Sequence, residues 1–274
     1  MSEVARVLIV AGSDSGGGAG IQADIKTATM LGGFAMTAIT AITVQNTLGV
    51  TGVVRMPPET VIAQMDAVID DIGVDAVKIG MIGSAETATA VADRLARLKG
   101  VPIVFDPVMV ATSGSVLSDP QTVGAFRRLM AASTVTTPNI PELEVLAGAT
   151  VSGADSAESA ARRLMVAHGC AVLAKGGHLG ADETVVDILV PTHGDAIRWK
   201  QNRIDTRHSH GTGCTLATAI ACGLGQGLAL ADAIARARAY VRAALLAAPG
   251  FGAGSGPIGH SLGRRPADEG ATQA

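Results

Sequence analysis

Aromatic side chains are nearly absent, with four Phe, one Trp and one Tyr in 274 residues. A core without large rings has to be assembled from Ala, Val, Ile and Leu, which suits close packing of helices on a sheet. A surface that binds nucleic acid by stacking on bases is not expected. Charge of one sign is scarce too: the formal net charge is −3 and no dense Lys/Arg run occurs, which argues against a phosphate-backbone partner. The three cysteines, Cys170, Cys214 and Cys222, are an odd number with no CxxC pair. They supply neither a disulfide framework nor a zinc signature, and the setting reads as reducing and cytoplasmic. No apolar stretch approaches a membrane span, and residues 1–6 lead into a run too short for a signal peptide.

Hydrophobic residues make up 48% of the chain, enough for a large ordered core. Short β-branched runs alternate with amphipathic stretches of 10 to 15 residues. Strands are expected at 6–11, 35–44, 76–80, 101–106, 134–137 and 171–174, with a hairpin over 184–190 and 196–200. Helices are expected at 21–31, 58–71, 85–98, 212–224 and 230–246, the last with an apolar stripe through Leu230, Ala233, Ile234, Ala237 and Val241. This alternation predicts an α/β fold with a mostly parallel central sheet flanked by helices on both faces. Residues 1–263 are expected to form a single domain and 264–274 a polar, frayed tail.

Ligands of such sheets bind beyond the carboxyl ends of the strands, so the residues just after each strand are the ones that matter. The first such segment, Gly12 to Gly20, contains a GxGxxA match at Gly18–Ala23, but no acidic ribose partner follows. A P-loop also fails, because Ile25 stands where a glycine belongs. Asp24, one helical turn beyond Gly20, and Gln45, after the second strand, could share a crevice and offer an acceptor and an amide to a small heterocycle. Asn139 and Glu142 are spaced i, i+3 around Pro141 at a helix start. They suit either magnesium or helix capping. Asp106 is either a turn residue before Pro107 or a second metal- or phosphate-side carboxylate. Lys175, before Gly176 and Gly177, is either a solvated turn lysine or a cation for a phosphate. His208 and His210 form an HxH without a third ligand, which favours loop or hydrogen-bonding roles.

Gly211-Thr212-Gly213-Cys214 opens a long helix of small apolar residues. Orphan amides and the positive end of the helix dipole converge there, which suits an anion and a thiolate.

Taken together, several stretches resemble the hydroxymethylpyrimidine and phosphomethylpyrimidine kinases, within the ribokinase-like superfamily. They are AGSDSGGGAGIQADIKT (11–27), TAITVQNT (40–47), VKIGM (77–81), DPVM (106–109), TPNIPE (137–142), KGGH (175–178), HGTGCT (210–215) and GSGPIGH (254–260). Thr112 stands where many relatives have lysine, and His208 where many have asparagine.

The resemblance implies a ribokinase-like fold and a homodimer that phosphorylates 4-amino-5-hydroxymethyl-2-methylpyrimidine and then its monophosphate with MgATP. Pyridoxal or pyridoxine is the alternative substrate. By the same resemblance, the amides of Gly211, Thr212 and Gly213 form the anion hole, and Cys214 faces the alcohol as base or as positioning group. Asp24 and Gln45 bond the aminopyrimidine, whose ring is bounded by Gly12, Met81 and Val108. Asn139 and Lys175 serve the nucleotide phosphates, with Glu142 and Asp106 at the metal. A dinucleotide-dependent oxidoreductase resting on GxGxxA and a non-catalytic nucleotide sensor are the competing classes.

Overall fold

Strand β1 (Arg6–Asp14) is buried along most of its length, and its alternating side chains enter two different cores. Val7, Ile9 and Ala11 join one apolar cluster, while Leu8 and Val10 join another on the opposite face, as the two-residue period of a strand dictates. Each fully buried Ile or Leu side chain contributes about 1.5–3 kcal/mol. A strand buried on both faces is the mark of a sheet covered on both sides by helices.

The computed structural model describes residues 4–111, 114–178 and 183–263. Thr112 and the expected tail over 264–274 lie outside the described residues. In chain order the elements are β1, α1 (Gly20–Met30), β2 (Phe34–Gln45), β3 (Val50–Arg55), α2 (Pro58–Asp71), β4 (Ala76–Ile79), α3 (Ala85–Leu95), β5 (Ile103–Phe105), α4 (Pro120–Ala131), β6 (Val135–Thr136), α5 (Ile140–Ala147), α6 (Ala154–His168), β7 (Ala171–Ala174), β8 (Thr184–Val190), β9 (Ile197–Asn202), α7 (Thr212–Gly225) and α8 (Leu230–Leu246).

The strands form one nine-stranded sheet in the order β3-β2-β1-β4-β5-β6-β7-β8-β9. The expected α/β class holds: pairs from β2 to β7 are parallel, and β3, β8 and β9 add antiparallel edges. β1 is flanked by β2 on one side and β4 on the other, so the chain reverses its direction of travel through the sheet at β1. That reversal opens a crevice at the carboxyl ends of β1 and β4.

Three elements escaped the sequence reading. β3 carries Gly52 and is largely exposed, so it lacks the buried run that marks a strand. α4 and α6 have ordinary amphipathic faces and begin at Asp119 and Gly153, where the cap, not the pattern, sets the start. α7 was legible, and the structure shows why its residues are small. Thr215 to Gly223 are all buried, and a Cβ on Gly223 would come within 2.9 Å of the Ala233 side chain.

Candidate active site

The residues after β1 form a turn organised by one carboxylate. Asp14 Oδ1 accepts from the Gly16 N–H at 2.8 Å, and Oδ2 accepts from Gly18 at 3.0 Å and Ala19 at 2.8 Å. His210 Nε2 lies 2.9 Å from the same Oδ2. Burial opposes the Asp14 charge, but His210 and the amides of Ala19 and Gly16 outweigh it and hold the carboxyl below its usual range. Asp14 therefore ties the first glycine turn to the loop before α7. The contact is so close that a Cβ on Gly211, whose φ is +88°, would sit 1.8 Å from Gly18 O.

Gly211 is the N-cap of α7 and brings no side-chain cap. The expected anion hole is narrowed here: the Thr212 N–H is already donated to Ser209 O at 3.3 Å. The Gly213 and Cys214 amides are left as first-turn donors that no side chain caps. Beside them, Lys175 Nζ pairs with Asp106 Oδ1 at 2.8 Å, and Thr137 Oγ1 donates to the same oxygen at 2.9 Å. A Cβ on Gly213 would lie 3.2 Å from Asp106 Oδ2 and 3.3 Å from Lys175 Nζ. The pair thus abuts the amino end of α7, and Asp106 is more than a turn residue.

Asp24 requires a correction. It does not line the cavity. It lies one turn below Gly20 on α1, where Oδ2 accepts from Lys78 Nζ at 2.7 Å and Oδ1 from Thr218 Oγ1 at 2.7 Å, and both members of the ion pair are fully buried. With both oxygens engaged and no solvent path, it has nothing to offer a heterocycle. Burial lifts the Asp24 carboxyl while Lys78 pulls it back; Lys78, also disfavoured by burial, is raised by Asp24. The short contact and the Thr218 donor favour the charged pair. The sequence carried a signal for Lys78: a lysine inside the apolar run Ala76–Ile79, buried on both faces, demands a carboxylate partner.

Thr218 is one turn beyond Cys214 on α7, so the Lys78–Asp24 pair lies beneath the thiol. Burial pushes the Cys214 thiol up to about 11, against the opposing field of Lys78, so the thiol is favoured over a thiolate at neutral pH. Desolvation outweighs the helix dipole here. Alkylation of Cys214 by iodoacetamide should accordingly be slow at pH 7 and accelerate roughly tenfold per pH unit until it levels near 11,. Peptide mass spectrometry checks this, and a plateau below pH 8 would refute it.

Asn139 and Glu142 form a capping box. Asn139 Oδ1 accepts from the Glu142 N–H at 2.9 Å, and Glu142 Oε2 accepts from the Asn139 N–H at 2.8 Å. The capping reading holds, and both residues still line the cavity. Burial raises the Glu142 carboxyl to about 7, with Lys175 opposing and Asp106 adding to the rise. Among the described residues no cluster of three or more His, Cys, Asp or Glu could hold a metal. Two neighbouring carboxylates, one of them disfavoured as an anion, fit a magnesium ion that takes its remaining ligands from water and a nucleotide.

These groups surround one cavity of about 720 Å³, which Gly12, Gln45, Met81, Val108, Lys175 and the Gly211–Cys214 stretch also line. The cavity continues towards β8, β9 and α8, past residues that the sequence did not reveal. Asp187 accepts from the Gly176 N–H at 2.9 Å and from Arg238 Nε at 2.8 Å, and Arg238 lies over the Trp199 ring. Only pairing across the sheet makes this cluster visible.

The phosphomethylpyrimidine kinase family model matches residues 14–259. The chain is 50% identical over 258 residues to a thiamine biosynthesis bifunctional protein of Geobacter sulfurreducens, covering 93% of this chain but 52% of that protein. It is 49% identical to the hydroxymethylpyrimidine/phosphomethylpyrimidine kinase of Rhizobium meliloti, covering 92% of this chain and 96% of the other. Among solved structures, the pyridoxal kinase of Staphylococcus aureus in complex with AMP-PCP and pyridoxal superposes with a TM-score of 0.87 at 28% identity, covering 96% of each chain.

Proposed function

The chain belongs to the phosphomethylpyrimidine kinase family, and from that premise we propose that it phosphorylates 4-amino-5-hydroxymethyl-2-methylpyrimidine and then the monophosphate, with ATP as donor, as a step of thiamine biosynthesis. The observation that carries the reading is a single cavity whose lining brings together Gly12, Gln45, Met81 and Val108, the Cys214 thiol and the amino end of α7 beside Lys175. Identity of 49% to a named pyrimidine kinase against 28% to a pyridoxal kinase supports the pyrimidine over pyridoxal. Turnover of ATP with the alcohol, its monophosphate and pyridoxal supplied separately tests it. A higher kcat/KM for pyridoxal would overturn the assignment.

Phosphoryl transfer asks for positioning and charge stabilisation more than covalent help. Gln45 bonds the ring edge, with Met81 and Val108 against its faces. The Gly213 and Cys214 amides and the Lys175 ammonium meet the charge that develops on the transferred group. Asn139 holds the turn that faces the nucleotide. A protonated thiol at rest makes Cys214 a positioning group for the alcohol. On this reading Cys214→Ser keeps turnover within about tenfold, whereas a loss of 10²–10⁴-fold, the usual worth of a general base, would restore the base role.

Magnesium bound at Glu142 and Asp106 would neutralise phosphate charge. Because burial holds Glu142 near 7, its protonation competes with the metal, and apparent magnesium affinity should fall as pH drops from 8 to 6. Magnesium titrations of ATP turnover at several pH values check this, with Glu142→Gln flattening the dependence.

We read 1–263 as one domain, supported by the single sheet, and the unpaired cysteines as suited to a reducing cytoplasm,. A homodimer is supported by exposed Ile42, Val44 and Val54 on one face of the β2–β3 edge. Sedimentation equilibrium tests it. Among the described residues no helix is long and apolar enough to cross a membrane.

A further inference from the structure

The side-chain amide of Gln45 can occupy its place in two orientations of the same shape. In one, its nitrogen lies 3.3 Å from His210 Nε2 and its oxygen 3.1 Å from Thr43 Oγ1. Counting protons rejects this arrangement. Asp14 is an ionised acceptor that already receives three backbone N–H groups, so His210 Nε2, 2.9 Å from Oδ2, must carry a proton and donate it,. An amide N–H₂ then faces an N–H. Thr43 meanwhile has one hydroxyl proton for two acceptors, Gln45 Oε1 and Ser13 O, the latter at 3.0 Å. With the amide turned over, no donor faces a donor: the His210 Nε2 proton points to Asp14 Oδ2 and is shared, over the longer contact, with Gln45 Oε1, while Gln45 Nε2 donates to Thr43 Oγ1 and Thr43 donates to Ser13 O. Buried polar groups settle in the arrangement that satisfies them all.

We propose that Thr43 and His210 lock the Gln45 amide with its oxygen towards His210 and its nitrogen towards Thr43. They are thereby positioning residues that decide which hydrogen-bonding edge of a ring this enzyme accepts. A locked amide offers its acceptor and donor in one fixed order. It pairs with a ring edge carrying an exocyclic amine beside an unprotonated nitrogen, and it opposes like against like when these are exchanged for a carbonyl beside an N–H. The selectivity part rests on the reading of Gln45 as the ring contact; the proton placement does not.

Two measurements test the lock. In protein labelled with ¹⁵N-histidine, long-range ¹H–¹⁵N correlation assigned with His210→Asn should show His210 protonated at Nε2. A lone pair at Nε2 overturns the proposal whatever the enzyme's substrate. The second compares kcat/KM for the 4-aminopyrimidine alcohol and its 4-oxo analogue. Wild-type enzyme should prefer the amine by on the order of 100-fold or more. Thr43→Val, which frees the amide to turn, should cut that preference at least about tenfold, mainly by raising KM for the amine, and Thr43→Ser should restore it. Unchanged selectivity in Thr43→Val overturns the lock. If wild-type protein phosphorylates neither compound, the proposed substrate falls, and the histidine measurement alone decides the lock.

Discussion

Lys78→Met is expected to lower the free energy of unfolding by roughly 3–5 kcal/mol, because it leaves Asp24 as an uncompensated buried charge. Both side chains are fully buried, so water cannot replace the lost partner, and Thr218 Oγ1, 2.7 Å from Oδ1, supplies a single hydrogen bond against the whole cost of desolvation,. The double variant Lys78→Met/Asp24→Leu removes both charges at once and should recover most of the loss, since well-packed apolar residues often replace a buried ion pair without penalty. Urea unfolding followed by the fluorescence of Trp199, the only tryptophan, measures all three. A single variant within about 1 kcal/mol of wild type would mean that the pair is not charged in the native protein. The pair's place beneath Cys214 adds a second readout: without Lys78, the thiol should alkylate more slowly at any pH below 11, because the one group that opposes burial most strongly is gone.

Gly211→Ala is expected to reduce kcat by about 10²–10³-fold, the usual worth of a displaced oxyanion donor set. The reason is steric. At φ +88° a side chain is strained wherever it is placed, and the new Cβ would approach Gly18 O to 1.8 Å, so the loop before α7 has to withdraw from the Asp14 turn. The Gly213 and Cys214 amides move with it. His210, the residue before Gly211, moves with the loop and draws away from Gln45, so KM for the alcohol should rise as well,. Gly213→Ala makes the contrast. Its Cβ meets the Asp106 and Lys175 side-chain ends at 3.2 and 3.3 Å, groups that can shift, and its effect should fall mainly on KM for ATP. Steady-state kinetics with both substrates varied separates the two. A Gly211→Ala kcat within about tenfold of wild type would show that the loop tolerates displacement.

The glycine loop at the start of α7 was legible from the sequence because glycines and a small-residue helix start are local signals. So were Gln45, Met81 and Asp106, each placed just after a strand that periodicity marks. Asp24 misled because its position, one turn past a glycine-rich loop, is what a ligand-facing carboxylate would also have. Its true partner stands 54 residues away on β4. Asn139 and Glu142 proved to be a cap as well as a lining of the cavity, and spacing alone could not separate those roles, since capping boxes and metal pairs share the i, i+3 arrangement.

Cys214 shows the same division in its chemistry. Its place at a helix start is written in the chain, and from that place a thiolate follows if the helix dipole is the only influence. The tertiary structure sets the half-buried thiol among charges of both signs, Lys78 and Lys175 against Asp24 and Asp106, and burial raises it in spite of the lysines.

What the amino-acid sequence determined by itself was the α/β alternation, the strand ends at which ligands gather and the glycine loops, because hydrophobic period and backbone freedom are properties of neighbouring residues. Only the tertiary structure decided which charges pair, which protons stay and which amide turns which way. Asp14 and His210 are 196 residues apart in the chain, and such contacts exist only once the sheet has brought its strand ends together.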